Sequence, residues 1–191
     1  DAATRPWSAE AKALDLEDEQ VQTGLRALLS AYRLGDESAL VAFARLTRQS
    51  PEHQPLAAKL LREKTNASGA EFSVLGNVLL WLDEKEESAK VQHRAAELGN
   101  LDAKFELSLY YGQGLGVPVD AEKAQQWLDA AADAGHFRAL YNVGAAYAAG
   151  QRGAPDLSLA AKYYQRAAEA WHRRAAYTLG VVFYAADHRI P

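Results

Sequence analysis

Cysteine and methionine are both absent from this chain of 191 residues, and proline occurs only 6 times. Without cysteine, the protein has no disulfide framework, no thiol nucleophile and no zinc site built on thiolates. The scarcity of proline, together with 39 alanines, favours helix over strand. Positive charge is not in excess either, because 21 Lys and Arg against 25 Asp and Glu leave a net charge of -4. That balance argues against a protein that binds nucleic acid.

Long hydrophobic runs are also missing. The two most apolar stretches, 139–151 and 175–186, fall well short of the roughly 20 residues that cross a bilayer, so we expect no membrane-spanning segment. The sequence has no initiator methionine and opens with Asp1-Ala-Ala-Thr, which suits a chain released by a signal peptidase. We therefore expect a periplasmic or otherwise exported bacterial protein. A fragment of a longer protein is the alternative.

The sequence lacks the common signatures of catalysis and of metal binding. The histidines include no pair at i, i+4 and no HExxH motif. His136 and His172 occupy equivalent repeat positions and are predicted as an exposed pair at helix starts, with a zinc or pH-sensing site as the alternative. The glycine-rich segment 112–116 lacks a Gly-Lys-Ser/Thr ending and is predicted as a connector rather than a phosphate-binding loop. We predict a protein that is not an enzyme and that holds no metal ion and no cofactor.

An internal repeat organises the chain. Residues 99–134, 135–170 and 171–191 align at an offset of 36, and a shorter unit of 32 residues continues the register back over 67–98 and 35–66. Aligned positions include Ala103, Ala139 and Ala175; Leu107, Val143 and Leu179; Ser108, Gly144 and Gly180; and Tyr111, Tyr147 and Phe183. Because the apolar residues of a unit recur at i, i+4, i+5 and i+8, they form one stripe of a helix.

Each unit predicts two helices, A and B. The A helices are expected over 36–48, 69–82, 100–112, 136–149 and 172–186, and the B helices over 53–65, 85–98, 120–134 and 156–170. Asp120 and Asp156 suit the N-caps of B helices, and the small residues Gly144 and Gly180 suit close helix crossings. A further amphipathic helix over 18–34 would cap the N-terminal end. The predicted fold is all-α, a solenoid of about four to five helix pairs. We expect it to form a single domain over 18–191, with 171–191 an incomplete unit and 1–17 an N-terminal segment.

The repeat pattern is fullest across 99–134, in Ala103, Leu107, Tyr111, Gly114, Gly116-Val117, Asp120, Lys123-Ala124, Trp127 and Ala130-Ala131. With these residues the chain resembles the Sel-one-like repeat family, relatives of the tetratricopeptide repeats. The resemblance implies a right-handed α/α superhelical solenoid that acts as an adaptor or scaffold. Such proteins are frequent in bacterial envelopes and sometimes serve in immunity against secreted toxins. The resemblance implies no chemistry.

One face of the A helices points away from the stripe predicted as core. At 100° per residue, Phe105 and Leu109 lie opposite Leu107, on the side that lines the concave surface of a solenoid of helix pairs. The candidate partner-binding residues on this side are Trp81, Phe105, Arg138, Tyr141, Arg174, Tyr177 and Tyr184. Aromatic rings beside arginines are suited to anchoring a protein partner, so we expect partly accessible rings. The alternative is that neighbouring A helices lie close enough for these rings to pack together and fill the groove.

These observations predict a protein–protein interaction module of the bacterial envelope. It would bind a protein of unknown identity through its concave face, as an immunity protein for a secreted toxin or as an assembly scaffold. A glycan-binding or peptidoglycan-binding module is the alternative, since aromatic rings also stack on sugars. An enzyme would need a deep pocket with converging ionisable groups.

Overall fold

The computed structural model describes residues 18–170, and this part of the chain is all-α. Its nine α-helices are α1 (Asp18–Arg33), α2 (Ser38–Leu46), α3 (Gln54–Arg62), α4 (Gly69–Trp81), α5 (Lys85–Glu97), α6 (Leu101–Gln113), α7 (Ala121–Asp133), α8 (Phe137–Ala148) and α9 (Leu157–Glu169). Two short 3₁₀ turns, Thr47–Gln49 and Pro51–His53, connect α2 to α3. Each helix predicted within this range is confirmed to within three residues at either end. The predicted A helix at 172–186 lies outside the described residues.

The chain divides into two compact units. The first contains α1 to α5 and the short segment Leu115–Val117, and the second contains α6 to α9. The core of the first unit includes Leu25 of α1, Leu40 and Phe43 of α2, Leu61 of α3, and Val78 and Leu79 of α4. The core of the second unit includes Phe105, Ala131, Ala132, Leu140, Val143 and Ala167. The predicted domain bounds, 1–17 and 18–191, stay a prediction.

Small residues lie where the two helices of a pair cross. A Cβ added at Gly144 would lie 3.0 Å from the ring of Tyr164 and 3.2 Å from the carbonyl oxygen of Ala160, which confirms the close crossing predicted for this position. In the first unit, a Cβ at Gly76 would lie 2.6 to 2.8 Å from the side chain of Gln92. In these two pairs, the backbone of one helix therefore lies against a side chain of the other. Gly180 lies outside the described residues.

The starts of the two B helices of the second unit, α7 and α9, repeat at the level of hydrogen bonds. Asp120 accepts a bond from the backbone N–H of Lys123 at 2.9 Å, and Asp156 accepts one from Leu159 at 2.8 Å, as predicted for N-caps. The backbone N–H of Asp120 donates to the carbonyl of Tyr111, and that of Asp156 donates to the carbonyl of Tyr147. Each cap is thus tied to the end of the A helix that precedes it.

Residues 114–120 connect α6 to α7, and the glycine-rich segment predicted as a connector overlaps this loop, although Gly112 and Gln113 still belong to α6. Gly116 has a φ of +68, and a Cβ at this position would lie 2.0 Å from the carbonyl oxygen of Lys85. The loop backbone therefore passes against the start of α5 at a distance that only glycine allows.

The crossing at Gly144 is tested by Gly144→Leu. Because the added side chain meets Tyr164 and the backbone of Ala160, the change should lower the free energy of unfolding by about 1–3 kcal/mol in a urea titration. The matched control is Gly112→Ala on α6, whose new Cβ would lie 3.9 Å from Ala124, an ordinary contact. The control should be neutral or stabilise by up to about 1 kcal/mol. Equal stability of the Gly144 variant and the wild type would contradict the crossing.

The close passage of the loop is tested by comparing Gly116→Ala with Gly135→Ala. Both glycines have positive φ, so each alanine should cost about 1–2 kcal/mol in backbone strain. Gly135 has no atom within 4 Å of the added Cβ, whereas Gly116 faces the carbonyl of Lys85. The Gly116 variant should therefore melt at a clearly lower temperature than the Gly135 variant. Indistinguishable melting temperatures would rule out the contact.

Candidate partner-binding site

Of the predicted partner-binding residues, Trp81, Phe105, Arg138 and Tyr141 fall in the described part of the chain. Arg174, Tyr177 and Tyr184 lie outside it. Trp81 ends α4 in the first unit, where it is half-buried against the core. The other three belong to the second unit, Phe105 on α6 and the pair Arg138 and Tyr141 on α8. Their role in binding a partner stays a prediction.

The ring of Phe105 is part of the core of the second unit. It is only 6% exposed, and it stacks on the ring of His136 with the centroids 4.7 Å apart. The expectation of a partly accessible ring is therefore wrong for Phe105. The alternative describes it better, because Phe105 of α6 shares a core cluster with Leu140 and Val143 of the next A helix, α8. Contact between successive A helices thus fills the space beside Phe105 that the helical wheel predicted to be accessible.

His136 lies at the start of α8, buried at 5% exposure, so its prediction as an exposed residue is also wrong. The backbone N–H of Ala139 donates to Nδ1 at 3.3 Å, which makes His136 the N-cap of α8. Because Nδ1 accepts, the neutral ring carries its proton on Nε2, which lies 3.2 Å from Oδ1 of Asp102. Both ring nitrogens are thus engaged within the protein. Among the described residues, no group of three or more His, Cys, Asp or Glu could hold a metal ion. His172 lies outside the described residues.

Glu106 and Arg138 bring ionisable side chains to this part of the second unit, close to Asp102 and His136. Arg138 is exposed, and its guanidinium lies 5.5 Å from the centre of the Phe137 ring. Burial raises the pKa of Glu106, and the nearby charge of Asp102 raises that pKa further, while Arg138 and His136 oppose the shift. Glu106 is therefore a carboxyl that is costly to ionise, beside an arginine that faces solvent.

Tyr141 is half-buried, one helical turn after Arg138. Its ring lies 5.4 Å from the ring of Tyr164 on α9, with the two planes tilted by 40°. Tyr141 thus contributes to packing through one side of its ring and reaches the surface with the rest. Arg138 and Tyr141, with the exposed Asn142 next in sequence, form what we call the α8 face.

A groove of about 330 Å³ opens within the second unit beside the α8 face. It is lined by Ser108, Leu109, Ala124, Gln125, Leu128, Asn142, Ala146, Gln151 and Arg152. The groove is open along one side, with α6, α7 and α8 as its walls. Sequence reasoning missed it. The signal that could have located it is the spacing of Arg138, Asn142 and Ala146, which places them on one line of α8.

Arg152 brings the only charged side chain to the groove lining, and that charge is compensated. Its guanidinium donates to Oδ1 of Asp129 at 2.6 Å and lies 5.5 Å from the centre of the Tyr147 ring. Burial alone would lower the pKa of Arg152, but the hydrogen bond and charge of Asp129 outweigh it and raise that pKa. The groove therefore presents no uncompensated charge to a ligand.

Ser50 and His53 in the first unit form a contact like that of a nucleophile and its base. Ser50 Oγ lies 2.7 Å from Nδ1 of His53 and donates to Glu52 at 2.7 Å. Ser50 is 0% exposed, however, so no substrate carbonyl can approach its oxygen in this structure. The three residues serve instead to fix the turn Pro51–His53 between α2 and α3.

Comparisons with known proteins give the repeats their family. The family model described as the Sel1 repeat matches residues 101–136 and 137–172, and each match begins at the first residue of an A helix. The chain belongs to the Sel1 repeat family. Sel1 repeats are generally protein–protein interaction modules, and their fold is generally non-catalytic. A search of curated proteins returned no match.

Several solved structures are similar to this chain. A Sel1 repeat protein from Oxalobacter formigenes is 36% identical over 50% of this chain and 71% of its own, with a TM-score of 0.48. The protein c5321, described as a protective antigen of uropathogenic Escherichia coli with an SLR fold, is 19% identical, with a TM-score of 0.63. That alignment covers 92% of this chain but only 39% of c5321. BtubC from P. vanneervenii is 16% identical over 89% of this chain and 84% of its own, with a TM-score of 0.54. The predicted α-solenoid fold class is confirmed.

None of the described helices is both long enough and apolar enough to cross a membrane.

The burial of Glu106 predicts a pH-dependent effect of Glu106→Gln. A raised folded-state pKa favours the protonated carboxyl, so its stabilising contribution is full below the ordinary pKa of 4.5 and is lost as the pH rises through the folded-state pKa. Glutamine stays neutral, so the variant should melt at a higher temperature than the wild type at pH 7. The difference should shrink as the pH falls to 4.5.

The matched control for this prediction is Glu63→Gln, at the exposed end of α3. Glu63→Gln should change the melting temperature, relative to the wild type, by the same amount at pH 7 and at pH 4.5. A Glu106 variant that is destabilised at pH 7, or equally stabilised at both pH values, would contradict the assignment.

Proposed function

We propose that this chain binds a protein partner through the α8 face and the adjoining groove of the second unit. The observation that carries the proposal is the open groove of about 330 Å³, which lies within the two matched repeats and beside an exposed arginine. The half-buried leucine and alanine side chains of the lining form an apolar floor, and its exposed amides form a polar mouth without uncompensated charge. A surface of this kind favours reversible recognition rather than chemistry on a bound molecule.

Arg138 and Tyr141 suit the edge of such an interface. Arginine offers five N–H donors in a rigid fork, and tyrosine combines a large ring with a polar hydroxyl. Both residue types are enriched among the side chains that dominate binding energy at protein interfaces. Arg138 is exposed, whereas Tyr141 is held in place by its contact with Tyr164. A side chain that is already ordered loses less entropy when a partner binds.

The setting that we propose is the bacterial envelope, with the chain acting as an immunity protein for a secreted toxin or as an assembly scaffold. This part of the proposal rests on the resemblance of the repeats to the Sel-one-like family. Fractionation of the native bacterium tests it directly. The protein should be recovered with the periplasmic or surface fraction, and recovery with the cytoplasmic fraction would refute the setting.

The glycan-binding alternative requires ring faces that are open to a sugar. Phe105 does not offer one, because its ring is stacked on His136 and buried. Tyr141 offers at most part of one, since its ring packs on Tyr164. The lining of the groove contains no aromatic side chain. These contacts favour a protein partner over a sugar.

The α8 face is tested by Arg138→Ala, with Lys162→Ala on the exposed side of α9 as the matched control. Each immobilised variant is incubated with native envelope extract, and bound proteins are quantified by mass spectrometry. A partner captured by the wild type and by the control should fall about tenfold with Arg138→Ala, equivalent to about 1.4 kcal/mol. Its capture by the wild type should also weaken as salt is raised.

Thermal melts of both variants provide the folding control, and each should lie close to the wild type. Equal capture by all three proteins would refute the proposed face. An equal loss of capture with Arg138→Ala and with Lys162→Ala would also refute the proposed face.

A further inference from the structure

The side chains that line the groove of the second unit indicate which class of ligand it can bind. We propose that it takes an extended, uncharged peptide segment of the partner and holds that segment chiefly by its main chain. The inference rests on the proposed function and adds to it the chemical class of the ligand. It depends on three properties of the groove lining: its charge, its amides and its floor.

The charge balance excludes strongly charged ligands. Arg152 is the only ionisable residue in the lining, and its guanidinium is bound to Asp129 at 2.6 Å. A carboxylate, phosphate or ammonium group placed here would lose its hydration without gaining an unpaired opposite charge. A segment that carries no charge at its centre avoids this cost.

The amides match a peptide main chain. Gln125 of α7, Asn142 of α8 and Gln151 in the segment after α8 all line the groove and are exposed. No side-chain hydrogen bond within the described part of the chain engages these three amides. Each primary amide can donate and accept at once, and each peptide unit offers one N–H and one carbonyl. Three amides on three separate segments can therefore bond successive peptide units of an extended chain.

The floor of the groove is apolar and has small residues within it. Leu109 and Leu128 form its larger parts, while Ala124 and Ala146 leave room between them. A volume of about 330 Å³ holds on the order of ten water molecules, which a few residues of peptide would displace. Because side chains alternate along an extended strand, one small apolar side chain would point to this floor while its neighbours point outward.

A peptide fits these features better than an oligosaccharide does. Sugars pack on the flat face of aromatic rings, and none of the residues that line the groove is aromatic. The amides alone could bond sugar hydroxyls, but the leucine and alanine floor is matched by an aliphatic side chain. Binding of an oligosaccharide at these residues would therefore contradict the proposal.

The experiment uses the full chain and a displayed library of random 12-residue peptides. Selected peptides are synthesised, and their affinities are measured by titration calorimetry against the wild type, Asn142→Ala, Gln125→Ala and Gln126→Ala. Gln126 is the matched control, because it is an exposed amide next to Gln125 on α7 but does not line the groove. We expect the two groove variants to weaken binding about five- to tenfold and the control to leave it unchanged.

The role of the main chain is tested with modified peptides. Methylation of one central peptide nitrogen removes a donor without changing a side chain, and it should weaken binding at least tenfold. Alanine at the outward-facing positions of the same peptide should change the affinity less than threefold. Binding that ignores N-methylation but fails with alanine would overturn main-chain recognition.

Three further results would overturn the inference. These are a library that yields no binder, binders that are indifferent to both groove variants, and a soluble peptidoglycan disaccharide whose binding is lost in Asn142→Ala. Each leaves the partner-capture result with Arg138→Ala standing, so failure of the groove assignment is separable from failure of the proposed function. Melting curves of all three variants confirm that each is folded, since alanine at exposed helix positions preserves helix propensity.

Discussion

Two helices can pair closely only where one of them lacks a bulky side chain at the crossing, and the packing of both units depends on this contact. In the second unit Gly144 admits the ring of Tyr164, and in the first unit Gly76 admits the side chain of Gln92. Gln92 is fully buried, and its amide donates to the carbonyl of Ser73 at 3.1 Å. The same constraint thus accepts an aromatic ring in one pair and a hydrogen-bonded amide in the other. What is fixed is the short distance between the helices, not the chemistry that fills it.

This contact determines which side of an A helix remains for other uses. Because one side of an A helix packs against its own B helix, a different side of that A helix must contact the next A helix. On α6 that side carries Phe105, whose ring is covered by His136 and by residues of α8. One turn further along α6, Leu109 lines the groove together with the small side chain of Ala146 on α8, and the space between the two helices is open there. The groove is therefore the point at which contact between successive A helices stops filling the space between them.

The helices could be predicted from the sequence because a repeat of 36 residues carries the same apolar stripe and the same Asp caps in each copy. The accessibility of Phe105 could not be predicted, because a helical wheel gives a direction on one helix and not the distance to the next. The groove escaped notice for a different reason. The spacing of Arg138, Asn142 and Ala146 marks one line of α8, but it does not show what lies opposite that line. Exposed amides such as Asn142 and Gln151 occur on any solvent-facing surface. Only the packing of three helices shows that these two amides line the same groove.

The caps of the helices follow from where each helix begins. Asp120 and Asp156 start B helices near the surface, where a carboxylate keeps its hydration while it accepts a backbone N–H. His136 starts α8 in a buried position, where a carboxylate would be costly. A neutral imidazole supplies the acceptor there without a charge, and its flat face packs on Phe105. Because its start is capped by a neutral ring, α8 places no charged side chain in the core of the second unit. Arg138, in the first turn of α8, is exposed instead, and its positive charge lies beside the surface proposed for a partner.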